Sequence, residues 1–494
     1  MSLTIQLGII VGYLLLALAI GLVAYRLTER TAEDFYLASR TLGTVVLLFT
    51  TFATLLSAFT FFAGPNLAYL YGPEWILVMG VMDGLIFAVL WYVIGYKQWL
   101  LGRQRGYVTL GEMLGDRFGS KRLRGLVAGV SLIWLFPYVM LQQVGAGTAL
   151  AALTDGVVPY AAGAGLITLF MILYVVLAGF RGIAWTDTLQ GAFMLVTTWV
   201  ALLWVLAVVG GPGVATAGLE ATASEHLSLG SAYYSPQFML STAITIGFGV
   251  AMFPQVNQRF FAAGSKEVLK RSFALWPILC LLLFVPAFLL GAWARGLETG
   301  ISVAEIEAGG NVLPLILAEF TPTWFAALVI AGAMAAMMSS SDSMLLSGSS
   351  YFTRDLYRPF VDATLSERRE DLIARVGVVV FAVATFVASL YNPATLFELG
   401  DAAFSGFAQL ALPVMVALYW RGTTRAGMTS AILGSQLFYL SSVFLPFVPG
   451  IYGGWSAGLV GMGLGLVLTL GVSWLTAPAP DEERAIYFEG LRAD

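Results

Sequence analysis

The chain has 494 residues, 59% of them hydrophobic and 11% charged, with a mean hydropathy of +0.84 and a formal net charge of −4. Soluble domains carry about a quarter charged residues, so this composition belongs in a lipid bilayer. One histidine, His226, and one cysteine, Cys280, exclude a zinc site and an internal disulfide, and the lack of a G-x-x-x-x-G-K-[ST] loop excludes an ATP-driven pump.

Thirteen apolar segments are long enough to span a bilayer, at about 5–26, 42–70, 74–97, 124–152, 158–179, 183–210, 235–262, 272–296, 322–353, 372–391, 395–419, 425–446 and 453–476. The first is not preceded by Lys or Arg and no A-x-A pattern follows it, so it reads as a retained helix. With the N-terminus outside, every Lys and Arg except Arg295 falls in a cytoplasmic connection or in the tail, including the run from Arg259 to Arg271. Positive charge gathers on the cytoplasmic side, so segment count and orientation support each other, with the C-terminus cytoplasmic and the protein in the cell membrane. One membrane domain over 1–478 and a short cytoplasmic tail over 479–494 are expected.

Along the chain, the second span carries Gly64-Pro65 inside T-F-F-A-G-P-N-L-A-Y, and the seventh carries Gly247, Gly249 and Pro254 inside I-G-F-G-V-A-M-F-P-Q. Glycine and proline free backbone groups that lipid cannot satisfy, so breaks at that depth are tolerated only where they line a cavity. Breaks in spans two and seven hold matching positions in two five-helix repeats, at about 42–210 and 235–446, with the first and last helices peripheral. An odd number of spans per repeat makes the repeats inverted, and such a pair points to a transport site near the bilayer midplane.

Few polar residues fall inside the spans. Glu74, after Gly72-Pro73, reads as a first-turn acid, whereas Asp83 lies deeper in span three and is harder to dismiss. Gln142 and Gln143 in span four can bond a solute or a neighbouring helix. Asp187, near the inner end of span six, reads either as a helix-start acid or as a cation ligand. Span nine sets five polar residues in a row, from Ser339 to Ser343 with Asp342 among them. A carboxylate at a span centre costs roughly 2.5–3.5 kcal/mol, so something must meet those oxygens. At about 100° per residue, Ala336, Ser339, Ser340 and Ser343 share one face while Ser341 points away. Serines alone would read as helix glue; with the aspartate, the face suits a hard cation held by oxygens.

Four stretches resemble the sodium/solute symporter family, over nearly the whole length. A-G-F-R-G-I-A-W-T-D (178–187) is similar to that family's G-G-x-x-A-V-x-W-T-D, and A-M-M-S-S-S-D-S (336–343) to its A-x-x-S-[ST]-x-x-S helix. F-T-R-D-L-Y (352–357) resembles its F-T-x-D-x-Y, and Q-V-N-Q-R-F-F-A-A (255–263) its Q-R-x-x-x-A segment. The resemblance implies an all-α membrane protein of the LeuT-type inverted-repeat fold, with helices two and seven discontinuous. It implies a sodium site made by the carbonyls of Ala53, Leu56 and Ala336 with the hydroxyls of Ser339 and Ser340. Some relatives hold a second cation, which here implies Asp187 and Ser343, with Asp342 where other branches have a small hydroxyl residue.

The stretch S-A-F-T-F-F-A-G-P-N-L-A-Y-L-Y-G (57–72) resembles the pantothenate and monocarboxylate permease branches. Its Ser57, Phe59, Thr60 and Gly64, with Gln142, Gln143 and Pro254, are the candidate solute-binding residues. A sugar would leave its hydroxyls unpartnered against Phe59 and Thr60, which disfavours it. No Lys or Arg falls at the midplane, so an anion would rely on half-helix N-termini and bound sodium for countercharge. The expected activity is sodium-coupled import of a small monocarboxylate, with a proton-coupled carrier or a symporter of proline, another zwitterion or a sugar as the alternative. The expected partners are that solute, Na⁺ and lipid, without nucleic acid, and no enzymatic constellation is present.

Overall fold

The computed structural model describes residues 2–26, 32–230, 233–391, 394–478 and 487–489. Nearly all of this is helix, as a chain in lipid requires when every backbone polar group must be bonded internally. The helices are α1 (Ser2–Arg26), the bent pair α2 (Thr44–Leu55) and α3 (Phe59–Tyr71), then α4 (Ile76–Arg105), α5 (Lys121–Leu153), α6 (Tyr160–Leu177) and α7 (Gly179–Val209). A second bent pair follows, α8 (Pro236–Met252) and α9 (Pro254–Ala262), then α10 (Lys266–Ala294), α11 (Thr323–Phe360), α12 (Glu367–Ser389), α13 (Leu396–Tyr419), α14 (Arg425–Phe444) and α15 (Ala457–Leu475).

Among the described residues ten helices are long and apolar enough to cross a membrane, and the bent pairs raise that to twelve. The segment expected at 425–446 is the helix α14, which Arg425, Thr429, Ser430 and Gln436 keep from being counted among them. α6 and α7 run on as one rod broken only at Gly179, whose φ of 59° a side chain would resist, so the loop expected before residue 183 is a kink. Arg181 beyond it is held by Asp34 at 2.5 Å.

Burial sorts the helices. In α11, 83% of the most apolar window is buried and in α13 72%, against 22% in α1 and 28% in α12. The serine-bearing α11 is therefore central, packed by α5, α7 and α9, while α1 and α12 turn most of their surface outward.

Both bends fall where the chain supplies a restart signal. α2 ends at Leu55, Leu56 is extended (φ −82°, ψ 127°), and Ser57 begins the next helix by accepting from the Phe59 N–H at 3.2 Å. α8 ends at Met252, Phe253 is extended (φ −58°, ψ 131°), and Pro254 takes the first helical position, where a missing N–H costs nothing. The pairs bend by 63° and 56°.

The break in the second span thus comes two turns before Gly64-Pro65, and the glycines expected to break the spans serve close packing. A Cβ on Gly64 would lie 1.9 Å from the Phe288 ring, and one on Gly249 would lie 2.2 Å from the Phe404 carbonyl oxygen. Gly247 likewise lies inside the continuous α8, against Ile86.

At one end the two broken spans are tied together. Leu42, before α2, pairs with the end of α9 through Leu42 N–H to Ala262 O (3.4 Å) and Gly264 N–H to Leu42 O (3.0 Å). Arg40 adds a bond to the Phe261 carbonyl at 3.1 Å and Trp99 one to Ala263 at 2.9 Å. Nearby, α11 runs on past the expected end at residue 353 and enters a charge cluster with the short helix Leu110–Arg117. Arg354 meets Glu112 at 2.7 Å, and Arg124 meets Asp355 at 2.7 Å and Glu112 at 3.0 Å.

Candidate functional site

The end of α2 leaves backbone carbonyls without intrahelical donors. Its last backbone bond runs from the Leu56 N–H to the Phe52 carbonyl, so the carbonyls of Ala53, Thr54, Leu55 and Leu56 lie beyond the ladder. They form the negative end of a helix dipole inside the protein. α11 meets them with Ser340, whose hydroxyl lies 2.5 Å from the Leu56 carbonyl oxygen and 2.9 Å from that of Thr54. Ser339, beside it, donates to Asp187 Oδ1 at 2.6 Å. Ala336 is buried one turn earlier on the same face. Of the expected set, Leu56 and Ser340 meet directly, with Thr54 added, while Ser339 turns to Asp187 and Ala336 lies buried on the same helix. Ser341 bonds back to the Met337 carbonyl at 2.7 Å, away from this face.

These oxygens are hard, neutral and borne by rigid helices that meet at a break. A monovalent cation fits that donor set, because its single charge needs oxygen dipoles more than a second formal charge. α11 contributes hydroxyls and α2 contributes carbonyls, so an ion here would bridge the bent pair to the central helix.

The other expected cation ligands are only partly together. Asp187 is fully buried and satisfied: Thr50 donates to its Oδ2 at 2.5 Å, and Arg259 does so at 2.9 Å. Arg259 also reaches Ser343 Oγ at 2.7 Å. Asp342 is buried as well, with its Oδ1 unbonded among the described residues. The expectation that Arg259 lies in a cytoplasmic connection is corrected here: it is completely buried inside α9, over the face of Phe180 at 5.2 Å. Its charge is committed to Asp187, so it offers a solute anion no free countercharge. The run of basic residues from Arg259 to Arg271 reads as one connection, and nothing local in the sequence marks the pairing of Arg259 with Asp187, 72 positions away.

Around the break in the second span, the candidate solute residues separate. Gln142 supports the broken backbone: its Oε1 accepts from the Ala58 N–H at 2.9 Å and its Nε2 donates to the Tyr138 carbonyl at 3.0 Å. Tyr138 in turn bonds Ser57 Oγ at 3.3 Å. Gln143 points elsewhere, to Thr168 Oγ1 and the Ala382 carbonyl, both at 3.1 Å, and does not join the break. Gly64 is filled against by Phe288, which removes it as a solute contact. Phe59 sits in an aromatic group with Trp75, Phe397 and Phe404, Thr60 is buried one residue on, and Pro254 starts α9.

Between the two breaks is a cavity of about 20 Å³ lined by Leu55, Leu56, Asp83, Val250, Trp276 and Phe404, among others. It holds about one water, so an organic solute enters only after the helices part. Into its apolar wall comes Asp83, 7% exposed, with Oδ1 buried and unbonded among the described residues. Asp83 is not among the expected solute residues, although its depth in span three marks it.

Comparison with known proteins bears on this geometry. The model of the family described as "Sodium:solute symporter family" matches residues 35–434. The sodium/pantothenate symporter of Escherichia coli (strain K12) is 29% identical over 468 residues, covering 92% of this chain and 95% of that protein. The sodium/proline symporter of Haemophilus influenzae is 28% identical over 452 residues, covering 85% of this chain and 84% of the other. Among solved structures, a substrate-bound outward-open state of a Na⁺-coupled sialic acid symporter superposes with a TM-score of 0.80. It covers 96% of this chain and 98% of its own at 20% identity, a likeness of fold.

Proposed function

The chain belongs to the sodium:solute symporter family, and from that membership we propose that it imports a small organic monocarboxylate with sodium by alternating access. The observation that carries the coupling is the Ser340 hydroxyl set between the Thr54 and Leu56 carbonyls at the broken span. Sodium bound there as co-substrate supplies a positive charge that draws α2 and α11 together. Ala53, Leu56, Ala336, Ser339 and Ser340 are its proposed ligands, with Thr54 added. The carbonyls lie directly before Ser57, so ordering them also orders the start of α3 and the wall of the cavity. Bends of 63° and 56° in spans two and seven support the inverted-repeat reading, with repeats at about 42–210 and 235–446. The basic residues gathered beyond the inner ends support a cytoplasmic C-terminus.

The cavity narrows the solute. Its apolar lining suits a solute with a hydrocarbon body, and Asp83 needs a hydrogen-bond donor. Pyruvate or propionate would bring a like charge toward Asp83 with nothing to donate, and lactate's one hydroxyl lies next to its own carboxylate, which is unfavourable in a desolvated site. A carboxylate whose distal end carries hydroxyl or amide N–H groups, as pantothenate does, gives Asp83 that donor. A second reading, a proline-like zwitterion, is favoured by the same residue, because an ammonium group would pair with it.

The test is uptake into proteoliposomes of pantothenate, lactate, pyruvate, propionate, proline and galactose, with sodium or potassium outside. Sodium-dependent uptake of pantothenate above the small acids is expected. Sodium-dependent proline uptake alone would transfer the assignment to the zwitterion. Uptake indifferent to sodium and abolished by a protonophore would overturn sodium coupling and leave Asp187 and Asp342 as proton carriers.

A further inference from the structure

The chain's single histidine, His226, lies in the connection between α7 and α8, in the short helix Ser224–Leu227, yet only 6% of its surface is exposed. It is pressed against the far end of α3. A Cβ on Gly72, which ends α3 with a φ of 110°, would lie 3.5 Å from the His226 Cα. The imidazole is hydrogen-bonded to the Leu70 backbone in the last turn of α3, and its Nδ1 is buried without a partner among the described residues. Nε2 is therefore the nitrogen that donates, to the Leu70 carbonyl oxygen. The same connection grips this helix end twice more. Tyr234 donates to the Gly72 carbonyl at 3.0 Å, and the Tyr233 ring stacks on Tyr71 with centroids 3.8 Å apart. α3 is one half of a broken span beside the cavity, so these contacts hold a helix that must shift to admit a solute.

We propose that His226 and Tyr234 form a proton-released strap on α3: neutral His226 holds the helix end closed, and its protonation frees α3 and favours the form open to solute on that face. The inference rests on the alternating-access reading above. A proton on Nδ1 would create a buried N–H with no acceptor, which is costly. Burial accordingly pushes the docked imidazole below its ordinary value. Glu225 on its own helix favours the cation, and Arg295, just past α10, disfavours it. Glu74 borders the same face, its Oε2 2.7 Å from where a Gly72 Cβ would stand. The other titratable neighbours, Tyr69, Tyr71, Tyr233 and Tyr234, are phenols and neutral near pH 7. Once undocked, the imidazole titrates near its ordinary pKa of about 6.5. The strap is thus fully favoured above that pH and weakens as pH falls below it, by at most about tenfold per pH unit until the docked imidazole itself takes a proton.

The experiment compares wild type with H226Q, whose amide N–H can keep the bond to Leu70 but does not titrate. Deuterium exchange of peptides covering 222–230 and 66–72 is followed in detergent at about pH 7.5 and about pH 5.5, either side of the ordinary histidine pKa. After correction for the intrinsic pH dependence of exchange, both peptides should open severalfold more at the acid pH in wild type and not in H226Q. In proteoliposomes with equal pH on both faces, sodium-driven uptake of labelled pantothenate is titrated. The half-saturating concentration of wild type relative to H226Q should fall at least about threefold at the acid pH, because more of the carrier is open to solute. Wild-type exchange that does not rise at acid pH overturns the inference, as does an acid response that H226Q shares in full. A half-saturating ratio that stays level or rises at acid pH overturns the link from strap to opening. Absence of sodium-dependent pantothenate uptake in both proteins is a different failure, of the solute reading, and exchange then decides. Should H226Q not fold, H226N replaces it with the same expectations.

Discussion

Replacing Ser340 by alanine removes one hydroxyl from the meeting point of α11 and the broken second span. That hydroxyl stands 2.5 Å from the Leu56 carbonyl oxygen and 2.9 Å from that of Thr54. A buried polar contact of this kind contributes about 1–3 kcal/mol when its partner is left unsatisfied. At about 1.4 kcal/mol per decade, losing it as an ion ligand raises the half-saturating sodium concentration roughly 5- to 150-fold. The readout is solute uptake across a sodium titration, with the maximal rate recorded separately, because an ion ligand lost shifts the midpoint first. The adjacent S341A is the internal control: its hydroxyl bonds the Met337 carbonyl one turn back on the same helix. S341A should leave the sodium midpoint within about twofold, since such a back-bond adds little to a helix. Melting temperatures of both variants separate a folding defect from an ion defect. Equal midpoints for wild type and S340A, with folded protein, would refute the site. Equal shifts in S340A and S341A would show a general effect of thinning the helix.

Three further outcomes follow from the same geometry. D83N keeps the shape of the cavity wall and removes its charge; for a zwitterionic solute the lost charged hydrogen bond costs about 1.5–3 kcal/mol, so apparent affinity should fall at least tenfold, whereas a hydroxyl-bearing monocarboxylate should bind as well or better, as competition assays would distinguish. G249A puts a methyl about where the Phe404 carbonyl stands, 2.2 Å away; backbone cannot rotate aside, so α8 and α13 must separate at about 1–3 kcal/mol, read as a lower melting temperature, while G43A, with nothing within 4 Å, should not show that separation cost. Glu112, in the short helix Leu110–Arg117, is held below the usual carboxylate range: burial alone would raise it, and Arg354 with Arg124 outweighs that. A carboxyl depressed in the folded state stabilises above its unfolded pKa and loses that contribution as pH falls through the folded one. Acid should therefore weaken this charge cluster in the wild type, and E112Q should start less stable and lose less on acidification, as thermal melts across acidic pH would read.

Sequence composition and periodicity determined much of this protein without its fold. An 11% charged chain with regularly spaced apolar segments can only be a bundle of spanning helices, and the expected segments coincide with helices at nearly every position. The Ser339–Ser340 face was legible because helical geometry fixes which residues of one helix point together. Asp187 was legible only as either a helix-start acid or a cation ligand, and Pro254 as part of the break in the seventh span.

Contacts between distant segments were decided only by the tertiary structure. Glycine permits a break and equally permits close helix approach, so Gly64, Gly247 and Gly249 could not announce which they do; Phe288, Ile86 and Phe404 settle it. The true break in the second span depends on Gln142 of α5 supporting the Ala58 N–H, a contact 84 residues away. Gln142 and Gln143 are neighbours in sequence, yet the 100° between them sends one to the break and the other to α6 and α12. Arg259 is the sharpest case, since the sequence sets it among basic residues near a span end. Only the approach of α2, α7 and α11 provides the oxygens that let its charge remain inside the membrane domain. Local propensity fixes what one helix can present, and the packing of several fixes what those side chains meet.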